Sequence, residues 1–254
     1  MHTIHTIMPG LAKLRVNIAP VGFEIDRVVL SAKMTKADKV WLVVHDNPAT
    51  DKAKSFVDTI KTELKKAKIR VEIAYANRLD LFQIIKAVKE IVNKEIENDI
   101  YVNVASGSKI QAIACMMACM IFNDRKNIQP FYAEAKEYTG FHGKQQSLGV
   151  KELLPLPTYE IQIPEPELIA ALKIIKGNGG KITKKQLAEL AEKDKLITVN
   201  ARKENQSQAR LTSLAANIIQ PLEEQWKFIE VEKIGRNHWV KITQEGINAT
   251  EFLI

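Results

Sequence analysis

The chain has 254 residues, 46% hydrophobic and 26% charged, which is ordinary for a globular protein and long enough for one large domain or two modest ones. No apolar run reaches the ~20 residues needed to span a bilayer, and residues 1–10 place no basic group ahead of an apolar stretch, so neither a membrane span nor a signal peptide is expected. Thirty-seven basic residues against 30 acidic ones give a net charge of +7, compatible with a polyanionic partner without requiring one.

The N-terminal histidines His2 and His5 read as part of a frayed end. Residues 14–19 then read as a strand and residues 25–36 as a helix. Residues 39–45 (Lys-Val-Trp-Leu-Val-Val-His) form a nearly continuous apolar strand, the pattern of a strand covered on both faces. Phe56, Val57, Ile60 and Leu64 lie at helical spacing within residues 51–67, and residues 69–74 return to a strand. Leu81, Ile84, Ile85, Val88, Ile91 and Val92 mark a long amphipathic helix. Residues 99–104 are a fourth strand, Ile110 to Ile121 a helix, and residues 130–133 a fifth strand. Alternation of this kind predicts an α/β fold: right-handed βαβ units on a Rossmann-like parallel sheet.

Cys115 and Cys119 are four residues apart, on one side of a helix and out of disulfide geometry. With no histidine nearby they read as reduced core thiols, not metal ligands, which fits a reducing cytoplasm. His45, His142 and His238 are scattered, so no metal site is expected. Residues 136–148 lapse into a polar, glycine-bearing loop. Residues 151–157 contain two prolines and suit an edge strand. Pro164-Glu165-Pro166 is the expected boundary, giving domains at residues 1–160 and 164–254.

Beyond it the pattern changes. Residues 167–176 form a helix stopped by Gly177-Asn178-Gly179-Gly180. Thr183 and Gln186 have capping-box spacing at the head of a second helix, whose buried face is Leu187, Leu190 and Ala191. Residues 195–205 form a long turn, and a third helix spans residues 207–224 with Leu211, Leu214, Ala215, Ile218 and Leu222 inward. Residues 226–231 and 238–242 alternate as two strands joined through Gly235-Arg236-Asn237. Three helices and a hairpin predict a winged helix-turn-helix.

In such a domain the third helix reads double-stranded DNA. Gln206, Arg210, Ser213 and Asn217 lie along one polar stripe, with Ser207 and Gln208 beside it. Arginine can pair bidentately with guanine, and glutamine or asparagine with adenine. Arg202 and Lys203 precede the helix and suit phosphates, and Arg236 suits a wing contact. The alternative is an adaptor that uses the winged helix to bind protein or dimerise. The near balance of 14 basic and 12 acidic residues from Pro164 onward favours that alternative.

In the N-terminal domain, an open parallel sheet binds ligands beyond its strand ends, where strand order reverses. The first strand runs into Gly22 and Phe23, the fourth into Ser106-Gly107-Ser108-Lys109 and directly into a helix. Gly107 can take a positive φ and admit a close approach. Ser106 and Ser108 can donate to phosphates, and Ser108 can also cap the helix. A lysine in a first helical turn opposes the macrodipole, which makes sense if an anion sits there; the alternative is a lysine simply pointing into solvent. Asn47, Asn77 and Arg78 come from other loops on the same edge, with ordinary turn chemistry as the competing role. Glu24 and Asp26 suit the head of their own helix and not a phosphate. Neither GxGxxG nor GxxxxGK[ST] is present, so a dehydrogenase or NTPase is not expected.

The order of these motifs, Gly22-Phe23-Glu24 after a strand, then Ser106-Gly107-Ser108-Lys109, then a winged helix, resembles the CRISPR-associated Rossmann-fold (CARF) transcriptional regulators of archaea across nearly the whole chain. The resemblance implies a homodimer in which paired N-terminal loops enclose a cyclic oligoadenylate. Gly22 and Phe23 would then line the pocket, and Ser106, Gly107, Ser108 and Lys109 would cradle phosphates. It implies no cofactor and no enzymatic role. A ring nuclease that cleaves the cyclic ligand is the competing enzymatic reading. No RxxxxH pair of the kind carried by nuclease domains fused to CARF domains is present.

Overall fold

A computed structural model describes residues 13–123, 127–140 and 144–254. The expected frayed end with His2 and His5, and His142, lie outside the described residues, as does the side chain of Lys203. The chain divides into two compact units, Met1–Ile161 and Gln162–Ile254.

The first unit is built on β1 (Arg15–Pro20), β2 (Lys39–His45), β3 (Arg70–Ala76), β4 (Asp99–Asn103), β5 (Ile128–Tyr138) and β6 (Ser147–Pro155). They form one sheet in the order β3-β2-β1-β4-β5-β6; the first five run parallel and β6 returns antiparallel. The central strands β1 and β2 are buried along almost their whole length, which is why β2 is continuously apolar from Val40 to Val44; β1 buries one polar side chain, Asn17, among its apolar ones. The connecting helices are α1 (Asp26–Met34), α2 (Lys54–Lys66), α3 (Leu81–Lys94) and α4 (Lys109–Ile121). Val28, Val29 and Ala32 of α1 and Phe56, Val57, Ile60 and Leu64 of α2 share one core with Ala19, Val40, Leu42 and Val44 of the sheet. Helix α3 packs on α4, where Cys115 and Cys119 are fully buried free thiols.

Residues 136–148 depart from the expected loop. Residues 136–138 extend β5, residues 147–148 begin β6, and Glu137 pairs with Leu148 and Tyr138 with Ser147 across the hairpin. Main-chain hydrogen bonds propagate the ladder beyond its last apolar residue, so side-chain polarity there is a poor guide. A bulge at Glu134/Ala135 shifts the register.

The second unit is a winged helix domain. It comprises α5 (Pro166–Gly177), β7 (Lys181–Thr183), α6 (Lys184–Lys193), α7 (Gln206–Leu214), β8 (Ile229–Ile234), β9 (Asn237–Ile242) and α8 (Gln244–Leu253). The Thr183–Gln186 capping box opens α6, with the Thr183 hydroxyl accepting from the Gln186 amide at 3.2 Å. Leu172, Ile175, Leu187, Leu214, Ile218, Leu222 and Val240 converge in one core. Two elements are additional to the expected set: β7, which makes the wing sheet three-stranded in the order β7-β9-β8, and α8. Three residues are too short for a periodic signal. After Leu214 the third helix continues to Gln225 with wider turns, including the bond from Trp226 N–H to the Pro221 carbonyl. Pro221 supplies no amide and crowds the preceding turn, and widening relieves both. No helix among the described residues is long and apolar enough to cross a membrane.

Candidate functional site

The sheet order reverses between β1 and β4, which makes the loops after these two strands the candidate ligand edge. Gly107 has φ +82°, the left-handed conformation expected of it. A β-carbon there would lie 2.8 Å from Cβ of Pro20, and one on Gly22 would lie 3.0 Å from Cα of Gly107. What approaches Gly107 most closely is therefore the β1 loop itself. Ser108 caps α4, its hydroxyl accepting from the Gln111 amide at 3.2 Å while the Gln111 side chain accepts from the Ser108 amide at 2.9 Å. Lys109 follows, exposed and without an ion pair among the described residues. Ser106 is only 1% exposed, and its hydroxyl has no hydrogen-bond partner among the described residues.

The other expected ligand residues are otherwise engaged. Half-buried Phe23 meets Phe56 edge to face at 5.4 Å and packs against the core shared by α1, α2 and the sheet. Asn47 accepts from the Ala49 amide, and Asn77 from the Leu79 amide, both ordinary turn bonds. The Arg78 guanidinium is paired with the buried carboxylate of Asp51. Only its main chain reaches the switch-point turn, its carbonyl lying 3.5 Å from the Ser108 hydroxyl.

The head of α1 is closed by the hairpin. Gln145 Oε1 accepts from the amides of Ile25 (3.0 Å) and Asp26 (2.9 Å), Asp26 accepts from the Gly149 amide, and buried Glu24 accepts from the hydroxyl and amide of Ser147. Burial raises the Glu24 carboxyl above its usual range, against the lowering effect of the Ser147 bonds and the nearby Arg27 charge.

Arg27 carries no signal in the sequence: it reads as one more surface cation on a helix. It is 6% exposed. Its Nη1 donates to the Ala105 carbonyl at 2.8 Å, and its Nη2 to the hydroxyls of Tyr132 (3.2 Å) and Tyr138 (2.5 Å), whose rings flank the guanidinium at 5.3 and 5.2 Å. It forms no carboxylate ion pair among the described residues. A buried positive charge thus ties the β4–α4 turn to the β5–β6 hairpin, one residue before Ser106.

In the winged helix, Arg210 Nη2 is 2.5 Å from Glu192 Oε2 of α6. Gln206 also reaches Glu192, Ser213 donates to the Thr198 carbonyl at 3.1 Å, and Asn217 donates to Ser213. The expected reading stripe therefore turns toward α6 and residues 195–205. Asn205, Gln208, Ala209, Thr212 and Ser213 instead line a shallow open depression on α7. Ser207 is exposed at the helix start; Arg202 and wing-tip Arg236 are exposed and without ion pairs among the described residues. No cluster of three or more metal-ligating side chains occurs among the described residues.

The fold defines a two-domain class: a Rossmann-like sheet whose strand order reverses between β1 and β4, followed by a winged helix domain. Residues 15–138 match the family described as HFX_2341_N-like, N-terminal, and residues 167–254 match the DUF6293 C-terminal winged helix domain. Uncharacterized protein MJ1513 of Methanocaldococcus jannaschii is 30% identical over 213 residues, covering 72% of this chain and 63% of the relative, so the chain spans under two thirds of that relative's length. Among solved structures, Enterococcus italicus Csm6 bound to cyclic hexa-2'-fluoro-hexa-dAMP aligns with TM-score 0.41 and 12% identity, over 84% of this chain and 56% of that one. Can2 from Sulfobacillus thermosulfidooxidans in complex with cyclic tetra-adenylate aligns at 0.41 and 11%, over 93% and 63%. A Serratia marcescens short-chain dehydrogenase aligns at 0.33 and 11%, over 52% and 60%.

Proposed function

We propose that this protein is a ligand-responsive DNA-binding regulator, in which the N-terminal unit senses an anionic nucleotide and the winged helix binds duplex DNA. The observation that carries the reading is the Ser106–Lys109 turn: an exposed lysine without an ion pair at the head of α4, beside a buried serine hydroxyl without a partner, at the one reversal in the parallel strand order. An anion there receives the field of the α4 terminus, the Lys109 charge and a hydroxyl donor together. The Arg27 charge behind the turn adds to the attraction.

The resemblance of the Gly22-Phe23-Glu24 and Ser106–Lys109 motifs to CARF regulators makes a cyclic oligoadenylate the ligand. A twofold ring suits a homodimer, each protomer offering the same half-site. Ligand binding then shifts the spacing of two winged helices and so their fit to a palindromic site. Phosphate binding of this kind needs no catalytic residue, so no enzymatic role is assigned. The test is fluorescence anisotropy on a duplex selected by the full chain from a random-sequence pool, with and without cyclic tetra-adenylate or cyclic hexa-adenylate. Salt-sensitive affinity that changes with a ring supports the reading. DNA affinity indifferent to both rings contradicts the sensor part, and no retained duplex contradicts the DNA-binding part.

A further inference from the structure

Every side chain in the stripe Gln206, Arg210, Ser213 and Asn217 makes a hydrogen bond within the winged helix domain. The Arg210–Glu192 pair anchors the set, with side chains 23% and 28% exposed. A guanidinium that left this carboxylate to reach a base would strand a half-buried charge, and would set a bare carboxylate facing the phosphates. Gln208 and Thr212 differ. They are exposed, one helical turn apart, and make no side-chain hydrogen bond among the described residues. Asn205 precedes them on the same open depression, and Ala209 between them keeps the helix surface low enough for close approach.

We infer that Glu192 locks Arg210 onto the scaffold and that Gln208 and Thr212 read the bases. The inference rests on the DNA-binding reading above and specifies its site. The lock removes the one cation of α7 from the interface, and with it the arginine–guanine pair. What remains is a glutamine able to bond N6 and N7 of adenine, a threonine hydroxyl, and the methyl groups of Thr212 and Ala209, which suit the thymine methyl. The sequence class this surface takes is a major-groove A·T step. Exposed Arg202 and Arg236 are left for phosphates.

The test uses the full chain and duplexes it selects from a random-sequence pool, followed by anisotropy across a salt series. Gln208→Ala weakens the selected duplex by about tenfold or more and relaxes one adenine position. The charge swap Glu192→Arg with Arg210→Glu, which keeps the pair, leaves affinity within about threefold, because neither partner touches a base. Glu192→Ala releases the guanidinium, and the slope of log K against log salt steepens by about 0.9, one added phosphate contact. Loss of binding in the charge swap, or an unchanged slope in Glu192→Ala, overturns the lock while leaving DNA binding intact. Failure of the wild-type chain to retain any duplex overturns the DNA-binding reading itself, a result distinguishable from either.

Discussion

A β-carbon on Gly22 would stand 3.0 Å from Cα of Gly107, so the loops after β1 and β4 meet backbone to backbone at the switch point. The two glycines are required by this contact before any ligand arrives. Gly107→Ala combines a positive-φ penalty with a clash against Pro20 and is expected to cost about 1–3 kcal/mol in denaturant unfolding. A neutral Gly107→Ala would contradict the contact.

Arg27 is the strut behind that turn. Arg27→Met keeps the bulk but leaves the Ala105 carbonyl without its donor, with an expected cost of about 1–3 kcal/mol. Tyr138→Phe, at an exposed ring, is expected to cost about 0.5 kcal/mol or less. Equal losses in the two variants would mean that the guanidinium serves the hairpin, not the turn.

Two buried carboxylates respond to pH in opposite senses. Burial raises Glu95, but hydrogen bonds from Lys39, Trp41 and Asn98 outweigh it and leave the carboxyl below its usual range. Its stabilisation is present above the unfolded pKa and is lost as pH falls through the lower folded value. Glu24, raised by burial, binds its proton more tightly when folded, so its contribution improves as pH falls through that raised value. Urea unfolding of Glu95→Gln as a function of pH should show a flatter acid limb than wild type, and Glu24→Gln should lessen the penalty on approaching neutrality. An unchanged acid limb in Glu95→Gln would count against the Lys39–Glu95 pair.

Burial alone pushes the Cys115 thiol up to about 12, and burial pushes Cys119 well above its ordinary value, with Cys115 adding to the shift. Neither is a thiolate near neutral pH, so a disulfide reagent should label both only as the protein unfolds. Rapid labelling of the native protein would show that α4 opens locally.

Strand-by-strand periodicity carried the N-terminal fold because βαβ units write burial on both faces into continuous apolar runs such as residues 39–45. It carried the winged helix through the capping box at Thr183 and the stripe from Leu211 to Leu222. The outer part of the β5–β6 hairpin, residues 136–138 and 147–148, and β7 escaped it because backbone pairing there draws on few apolar side chains. The positive φ of Gly107 and the Ser108 cap were legible, since both are local backbone demands. Tertiary partners were not. Nothing local to Phe23 says that Phe56 takes its ring, nothing local to Arg210 says that Glu192 holds it, and Arg27 is unremarkable until the β4–α4 turn and β5 enclose it.

The central claim is that the Ser106–Lys109 turn binds an anionic nucleotide. Its most direct test is calorimetric titration of the full chain with cyclic tetra-adenylate and cyclic hexa-adenylate, alongside Lys109→Ala. The account predicts saturable heat with one ring per two chains and affinity at least about tenfold weaker in Lys109→Ala, the order expected for losing a charge-assisted phosphate contact. No heat with either ring, or the same affinity in the variant, would contradict it.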